Sequence, residues 1–356
     1  MPRRSRWSSC KLLLALAGAA LPALLHLGVL AAPVPASARG WERLGTQVAP
    51  APAVLQLAAA DLDGDGRAEL VMVGRDYERQ EARLYVLAWP GALPEGAARD
   101  GPGESRQLFH VAAASPPFAH PLSHVTLAVG PFTRPQGPEI LVATNSHLVV
   151  WHWTGGKLER AWEGNYSARV QDLAPVELPG EPAALALVYV ETRPAWHYLL
   201  RVWHWNGNAM EPVAGPFPIG PVRAMSSGDL GGDGESEVVV ETGEGNKGGR
   251  IEVWRWTGSA FVQAGSAALR DAPAFGLEAG RVPEADPSKD LLLVADDKGR
   301  TALYEWTSKG FSRVGGVVTL GWSLGAATLG DLDGDGRTEA VVAEYPNLLH
   351  VLRWVP

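Results

Sequence analysis

Two segments of the sequence carry carboxylates at a spacing that can wrap a hard cation. Asp61-Leu-Asp-Gly-Asp-Gly-Arg-Ala-Glu69 and Asp331-Leu-Asp-Gly-Asp-Gly-Arg-Thr-Glu339 are near-identical copies of one nine-residue text. Acidic side chains stand at positions 1, 3, 5 and 9, and glycine at position 6 permits the tight turn that folds them inward. An all-oxygen donor set suits Ca²⁺, and carboxylates this close repel one another unless a cation lies among them. The expected ligands are Asp61, Asp63, Asp65 and Glu69 with the Arg67 carbonyl, and Asp331, Asp333, Asp335 and Glu339 with the Arg337 carbonyl. An EF-hand is excluded, because its twelfth position needs Glu and here holds Met72 or Val342. A polar Asp/Gly turn without metal is the competing reading; two copies in one register favour structural calcium.

A third segment, Asp229-Leu-Gly-Gly-Asp-Gly-Glu-Ser-Glu237, is a worn copy. Gly231 stands where a carboxylate belongs, leaving Asp229, Asp233 and Glu237 with the Glu235 carbonyl as a weaker metal set. Each acidic segment runs straight into an apolar stretch: Leu70–Val73, Val238–Val240 and Ala340–Ala343. The corresponding turns Pro131–Glu139, Glu177–Glu181 and Pro283–Asp290 lack the pattern and are not expected to hold metal.

Chemistry of other kinds finds no set of residues. The chain has no phosphate-cradling glycine loop, HExxH, GxSxG or cysteine-based metal motif. His152 and His204 alternate with tryptophans inside apolar stretches, which predicts packing in preference to zinc. The Trp-x-Trp pairs could stack sugars, but their recurrence at one strand position points to packing between sheets.

That recurrence organises the chain. Leu148-Val-Val-Trp-His-Trp-Thr-Gly155 returns as Leu200-Arg-Val-Trp-His-Trp-Asn-Gly207 and as Ile251-Glu-Val-Trp-Arg-Trp-Thr-Gly258. Looser copies are Leu84–Gly91, Ala302–Ser308 and Leu349–Trp354, making six. Two further strands precede each copy at a spacing of about fifty residues, the range of propeller blades. A fourth strand follows each Trp turn except the last, where the chain stops at Pro356. Trp41–Val48 is a spare strand at the other end, and it is expected to complete the last blade and hide the open edge. The expectation is all-β: a six-bladed propeller of four-stranded sheets, with seven blades as the rival count.

The acidic turns and this rhythm together resemble the FG-GAP repeat family, also known as VCBS repeats. The resemblance covers the chain beyond residue 38 in rhythm, but only the 61–69 and 331–339 turns keep its metal motif whole. It differs in having Glu at the ninth position and only a hint, Val129-Gly-Pro-Phe132, of the text that names the family. It implies an integrin-alpha-like propeller of the type found in exported bacterial proteins.

The 356 residues divide into a leader and one large domain. Arg3, Arg4, Arg6 and Lys11 precede the apolar stretch Leu12–Val29, and Ala36-Ser-Ala38 offers a small-residue cleavage site. Residues 1–38 therefore read as a secretory signal peptide, with an uncleaved anchor as the alternative, and 39–356 as the propeller domain. Losing 1–38 removes four of the 31 basic residues and none of the 39 acidic ones, so 27 remain and the net charge becomes −12. Nucleic acid is a poor partner for such a surface, and a membrane is met only through an uncleaved leader. The single cysteine, Cys10, leaves with the leader, so a secreted or cell-surface domain would rely on its core and on metal.

Ligand contact is expected on the face opposite the acidic turns, where the second-to-third strand loops lie. Loops 75–80 and 191–198 are long and polar–aromatic, and 243–249 is glycine-rich. Tyr77, Trp196, His197, Tyr198 and Tyr345 are the candidate anchors. The expected function is a non-catalytic interaction module for a protein or glycan. An enzyme acting on polysaccharide or phosphoester, and a structural part of a cell-surface assembly, are the alternatives.

Overall fold

The computed structural model describes residues 39–91, 107–118, 124–134, 137–166, 168–178, 184–191, 197–243, 249–268 and 272–356. The expected leader, and most of the Pro/Gly/Ala-rich insertion at 90–106 that lengthens the first blade, lie outside the described residues. The described residues form six antiparallel four-stranded sheets, each a simple meander. Blade 1 runs from Ala53 to Ala114, blade 2 from Val125 to Asn165, blade 3 from Arg169 to Ile219, blade 4 from Val222 to Ala268 and blade 5 from Ala274 to Thr319. Blade 6 takes three strands from Leu324–Val355 and its outermost strand, Gly40–Val48, from the other end. Each blade's first strand packs on the first strands of both neighbours, and blade 6 packs on blade 1, so the ring is closed. The count is six, and the spare strand completes the last blade.

The second strand of each blade explains the run of unbroken apolar letters. Leu70–Val73, Val238–Val240 and Leu291–Leu293 are each fully buried. Alternate side chains of a strand point to opposite faces. Leu70 and Met72 accordingly pack with Val341 and Val351 of blade 6, whereas Val71 and Val73 pack with Ile140 and Val142 of blade 2. A strand buried on both faces has no room for polar alternation.

The recurring tryptophans pack as expected. Trp256 and Trp306 stand against Phe261 and Phe311 of their own fourth strands, with ring centroids 5.3 and 4.7 Å apart. Trp162 of blade 2 meets Trp205 of blade 3 edge-on at 5.6 Å. Such contacts join strand to strand and blade to blade.

Candidate metal turns and ligand face

The three acidic turns share one backbone shape. Asp61 accepts the Gly64 and Asp65 amides on Oδ1, at 2.7 and 3.1 Å, and the Gly66 amide on Oδ2 at 2.9 Å. Asp229 accepts the same three amides of its own turn, and Asp331 accepts those of Gly334 and Gly336 while the Asp335 amide turns to Asp333. Glycines at positions 4 and 6 both take positive φ, at 80° and 89° in the first turn, so the loop needs two glycines where the motif draws attention to one.

The ninth-position glutamate lies beneath this loop. Glu69 is 6 % exposed and Glu339 1 %, and their Oε2 atoms accept the Leu62 and Leu332 amides at 2.8 and 3.0 Å. Oxygens of Asp61, Asp63 and Glu69 lie within 4.8 Å of one another, as do those of Asp331, Asp333 and Glu339. Three converging oxygens on a partly buried floor fit a calcium ion. Asp65 and Asp335 are not part of these convergent groups; each caps the amide of its Arg67 or Arg337 neighbour instead, at 2.8 and 2.9 Å. If calcium binds, Asp61, Asp63 and Glu69 would hold it in the first turn, and Asp331, Asp333 and Glu339 in the last, each pulling the loop onto its strand.

The 229–237 turn is not among the convergent groups in the described residues. Glu237 holds the Leu230 and Gly231 amides, Asp233 caps Glu235, and Arg255 reaches Glu237 at 2.5 Å and Asp233 at 3.3 Å. A side-chain carbon at Gly231 would lie 2.7 Å from the Arg255 guanidinium, which fills the space of the missing carboxylate.

Burial pushes Glu69 up to about 7, helped by Asp63 and opposed by the Leu62 amide. Burial also pushes Glu339 up to about 7, although Arg353 beside it pulls the other way. Burial works against the charge of Arg353 too, but bonds to Asp333 and Glu339 outweigh it and raise its pKa.

Sequence reasoning missed a fourth buried glutamate of this kind. Glu139, ninth from Pro131, is fully buried, accepts from both the amide and the hydroxyl of Thr133, and bonds His152 Nε2. His152 is thus a hydrogen-bond partner of a buried carboxylate more than a packing residue. His204 pairs across the strands with Glu211. The signal available in the sequence was the shared position of Glu139 at the head of a second strand.

On the opposite face the candidates are spread out. Tyr77 lies in the turn after the second strand of blade 1, 46 % exposed, with the Arg75 guanidinium 4.7 Å over its ring. His197 and Tyr198 begin the third strand of blade 3, the former exposed and the latter half-buried. Trp196 lies outside the described residues. Tyr345 is 51 % exposed in the corresponding turn of blade 6, and its amide bonds the Ser323 carbonyl at 2.8 Å. That bond draws in a residue the sequence did not single out: Trp322, 70 % exposed on the connection into blade 6. A side chain at the preceding Gly321 would meet the Glu344 carboxylate. Phe275, 42 % exposed, lies near the start of the first strand of blade 5 and lines the central channel. Only its place beside Ala274 and Gly276 at the start of a first strand distinguishes it in the sequence.

The channel is narrow. Its cavity is about 90 Å³, floored by alanines and by Asp172, Ser226 and Glu278. Burial raises Asp172 to about 6 and Glu278 to about 8; Thr126 and Ser226 bonds oppose this respectively. At neutral pH Glu278 is therefore the one of the two held protonated, and the cavity they line is well below the roughly 300–1,000 Å³ of ligand pockets. A larger cavity, about 610 Å³, opens between the rims of blades 4 and 5 beside Tyr304, Phe311 and Arg313.

No family model matches the chain, and no curated protein matches it in sequence. The architecture does have solved counterparts. A crystal structure of BBS1N in complex with ARL6DN, soaked with mercury, superposes with a TM-score of 0.52 at 12% identity, covering 89% of this chain and 97% of that one. The same complex soaked with lead gives 0.50 at 12% identity, covering 88% and 97%. The six four-stranded sheets in a closed ring define the class of the protein as a six-bladed β-propeller, and these solved structures share that general fold at low identity.

Proposed function

We propose that this protein is an exported, calcium-stabilised propeller of the FG-GAP type that binds a protein partner without turning it over. The observation that carries the reading is Trp322, 70 % exposed beside Tyr345 on the face away from the acidic turns. A large aromatic left in water on a rigid sheet scaffold is a ready anchor, because such residues supply much of the energy at interfaces. Tyr77, in the neighbouring blade, extends the same arc of the face. The solved propellers it resembles in shape are in complex with a protein, which supports a protein ligand over a glycan. The acidic turns suit calcium, and the apolar, arginine-led first 38 residues suit export to where calcium is plentiful.

The channel carboxyls favour no enzymatic reading, since the cavity they line is too small for a substrate. The test is to probe protein and glycan arrays with the purified protein in calcium. Binding to protein spots is expected. Binding confined to glycans, or chemical turnover of an arrayed polysaccharide, would contradict the proposal.

A further inference from the structure

Four blades keep a buried glutamate at the head of the second strand, and the residue opposite it on the third strand is arginine in two of them, alanine in one and histidine in one. Glu237 pairs with Arg255 and Glu339 with Arg353. One step beyond Leu70↔Leu87 places Ala88 opposite Glu69, and one step beyond Ile140↔Trp151 places His152 opposite Glu139.

In two blades the opposite residue reaches into the acidic turn. Arg353 reaches Glu339 at 2.7 Å, Asp333 at 2.5 Å and Asp335 at 3.4 Å, spanning the carboxylates of its turn. Arg255 does the same for Glu237 and Asp233, and occupies the space over Gly231. Among the described residues, no basic side chain forms an ion pair with Asp61, Asp63, Asp65 or Glu69. The two intact motifs, which differ only in Ala68 against Thr338 and carry the same charges, therefore differ in charge balance once folded.

We propose that Arg353 and Arg255 are built-in counter-ions that replace the metal in their turns, leaving the 61–69 turn, opposite Ala88, as the one that requires calcium. This rests on the calcium reading above and refines it. A guanidinium stays charged at any physiological pH, and its planar fork of N–H donors satisfies several carboxylate oxygens at once. Calcium entering the 331–339 turn must break those bonds and expel the arginine. Entering the 61–69 turn, it displaces no cation and relieves repulsion that nothing else relieves. The worn motif fits the same logic: once Arg255 fills the turn, the third-position carboxylate is dispensable, and Gly231 stands there.

The test is calorimetric titration of chelator-treated full-length protein with Ca²⁺, with thermal melts to confirm that each variant folds. The wild type should take up one ion per chain. Asp63→Ala should abolish that uptake, Asp333→Ala should leave it, and Ala88→Arg should weaken it by roughly tenfold or more. Arg353→Ala should add a second ion; should that variant not fold, Ala88→Arg against wild type decides. Two equivalent ions in the wild type, or unchanged affinity in Ala88→Arg, would overturn this inference while leaving the calcium reading standing. No uptake by any variant, Arg353→Ala included, would overturn both.

Discussion

Trp41 stands edge-on to Trp354, ring centroids 5.3 Å apart, across the strand pair that joins the two ends of the chain. Both rings are buried, at 6 % and 1 % exposed, in the cluster shared by blades 5 and 6. The pairing runs from Gly40↔Val355 to Val48↔Leu348 with one irregularity at Arg43/Gly45. Thr46 Oγ1 meets His350 Nδ1 at 2.9 Å, and His350 Nε2 meets Glu344 at 2.8 Å, tying the seam to the second strand.

Removing one ring of this pair should weaken the whole molecule. Trp41→Ala leaves a cavity at the seam and should cost about 3–5 kcal/mol, read from denaturant unfolding. Deleting residues 40–48 goes further, exposing the edge of the 348–355 strand, and should produce oligomers in size-exclusion chromatography. A monomeric, fully stable deletion would show that the ring does not need its closing strand.

This closure was legible in the sequence because it is a counting argument: six Trp-bearing strands, one blade a strand short, one strand spare. The apolar runs of the second strands were legible too, but their burial on both faces comes from the neighbouring blades that pack on either side. The metal turns were legible only as far as the nine letters go. Arg353 lies fourteen residues beyond Glu339 in sequence and meets it only because the second and third strands pair in that register. Trp322 was hidden for a different reason: nothing in Gly321-Trp322-Ser323 says whether the ring turns inward, because a lone aromatic in a connection has no strand periodicity to assign it a face.

The ligand face predicts a clean separation of binding from stability. Trp322 is largely exposed, so Trp322→Ala should change stability by less than about 0.5 kcal/mol. In combination with Tyr345→Ala it should weaken partner binding by about 2 kcal/mol or more, measured by surface plasmon resonance against an array hit. Unchanged affinity in the double variant would move the contact to another part of the molecule.

The channel carboxyls predict how stability depends on pH. Glu278 is raised from an ordinary 4.5 to about 8 by burial and by the charges of Asp172 and Asp290, and Asp172 from 3.8 to about 6. A carboxyl raised on folding gives stability that is full below its unfolded pKa and is lost as pH rises through the folded value. Their contribution should therefore decline from near pH 4 to near pH 8. Glu278→Gln, which keeps a polar group beside Ser226, should flatten that decline and melt higher than wild type at pH 8. A variant whose melting curve tracks the wild type at every pH between these limits would mean that Glu278 is not held protonated.

The central claim is that calcium staples this propeller, and thermal unfolding with calcium and with chelator at neutral pH tests it most directly. An ion bound only by the folded state adds RT ln(1 + [L]/Kd), about 2.7 kcal/mol at a hundredfold excess over Kd. The account predicts a higher Tm in calcium than in chelator for the wild type, and a shift that vanishes in Asp63→Ala. The same Tm for the wild type in calcium and in chelator would contradict it.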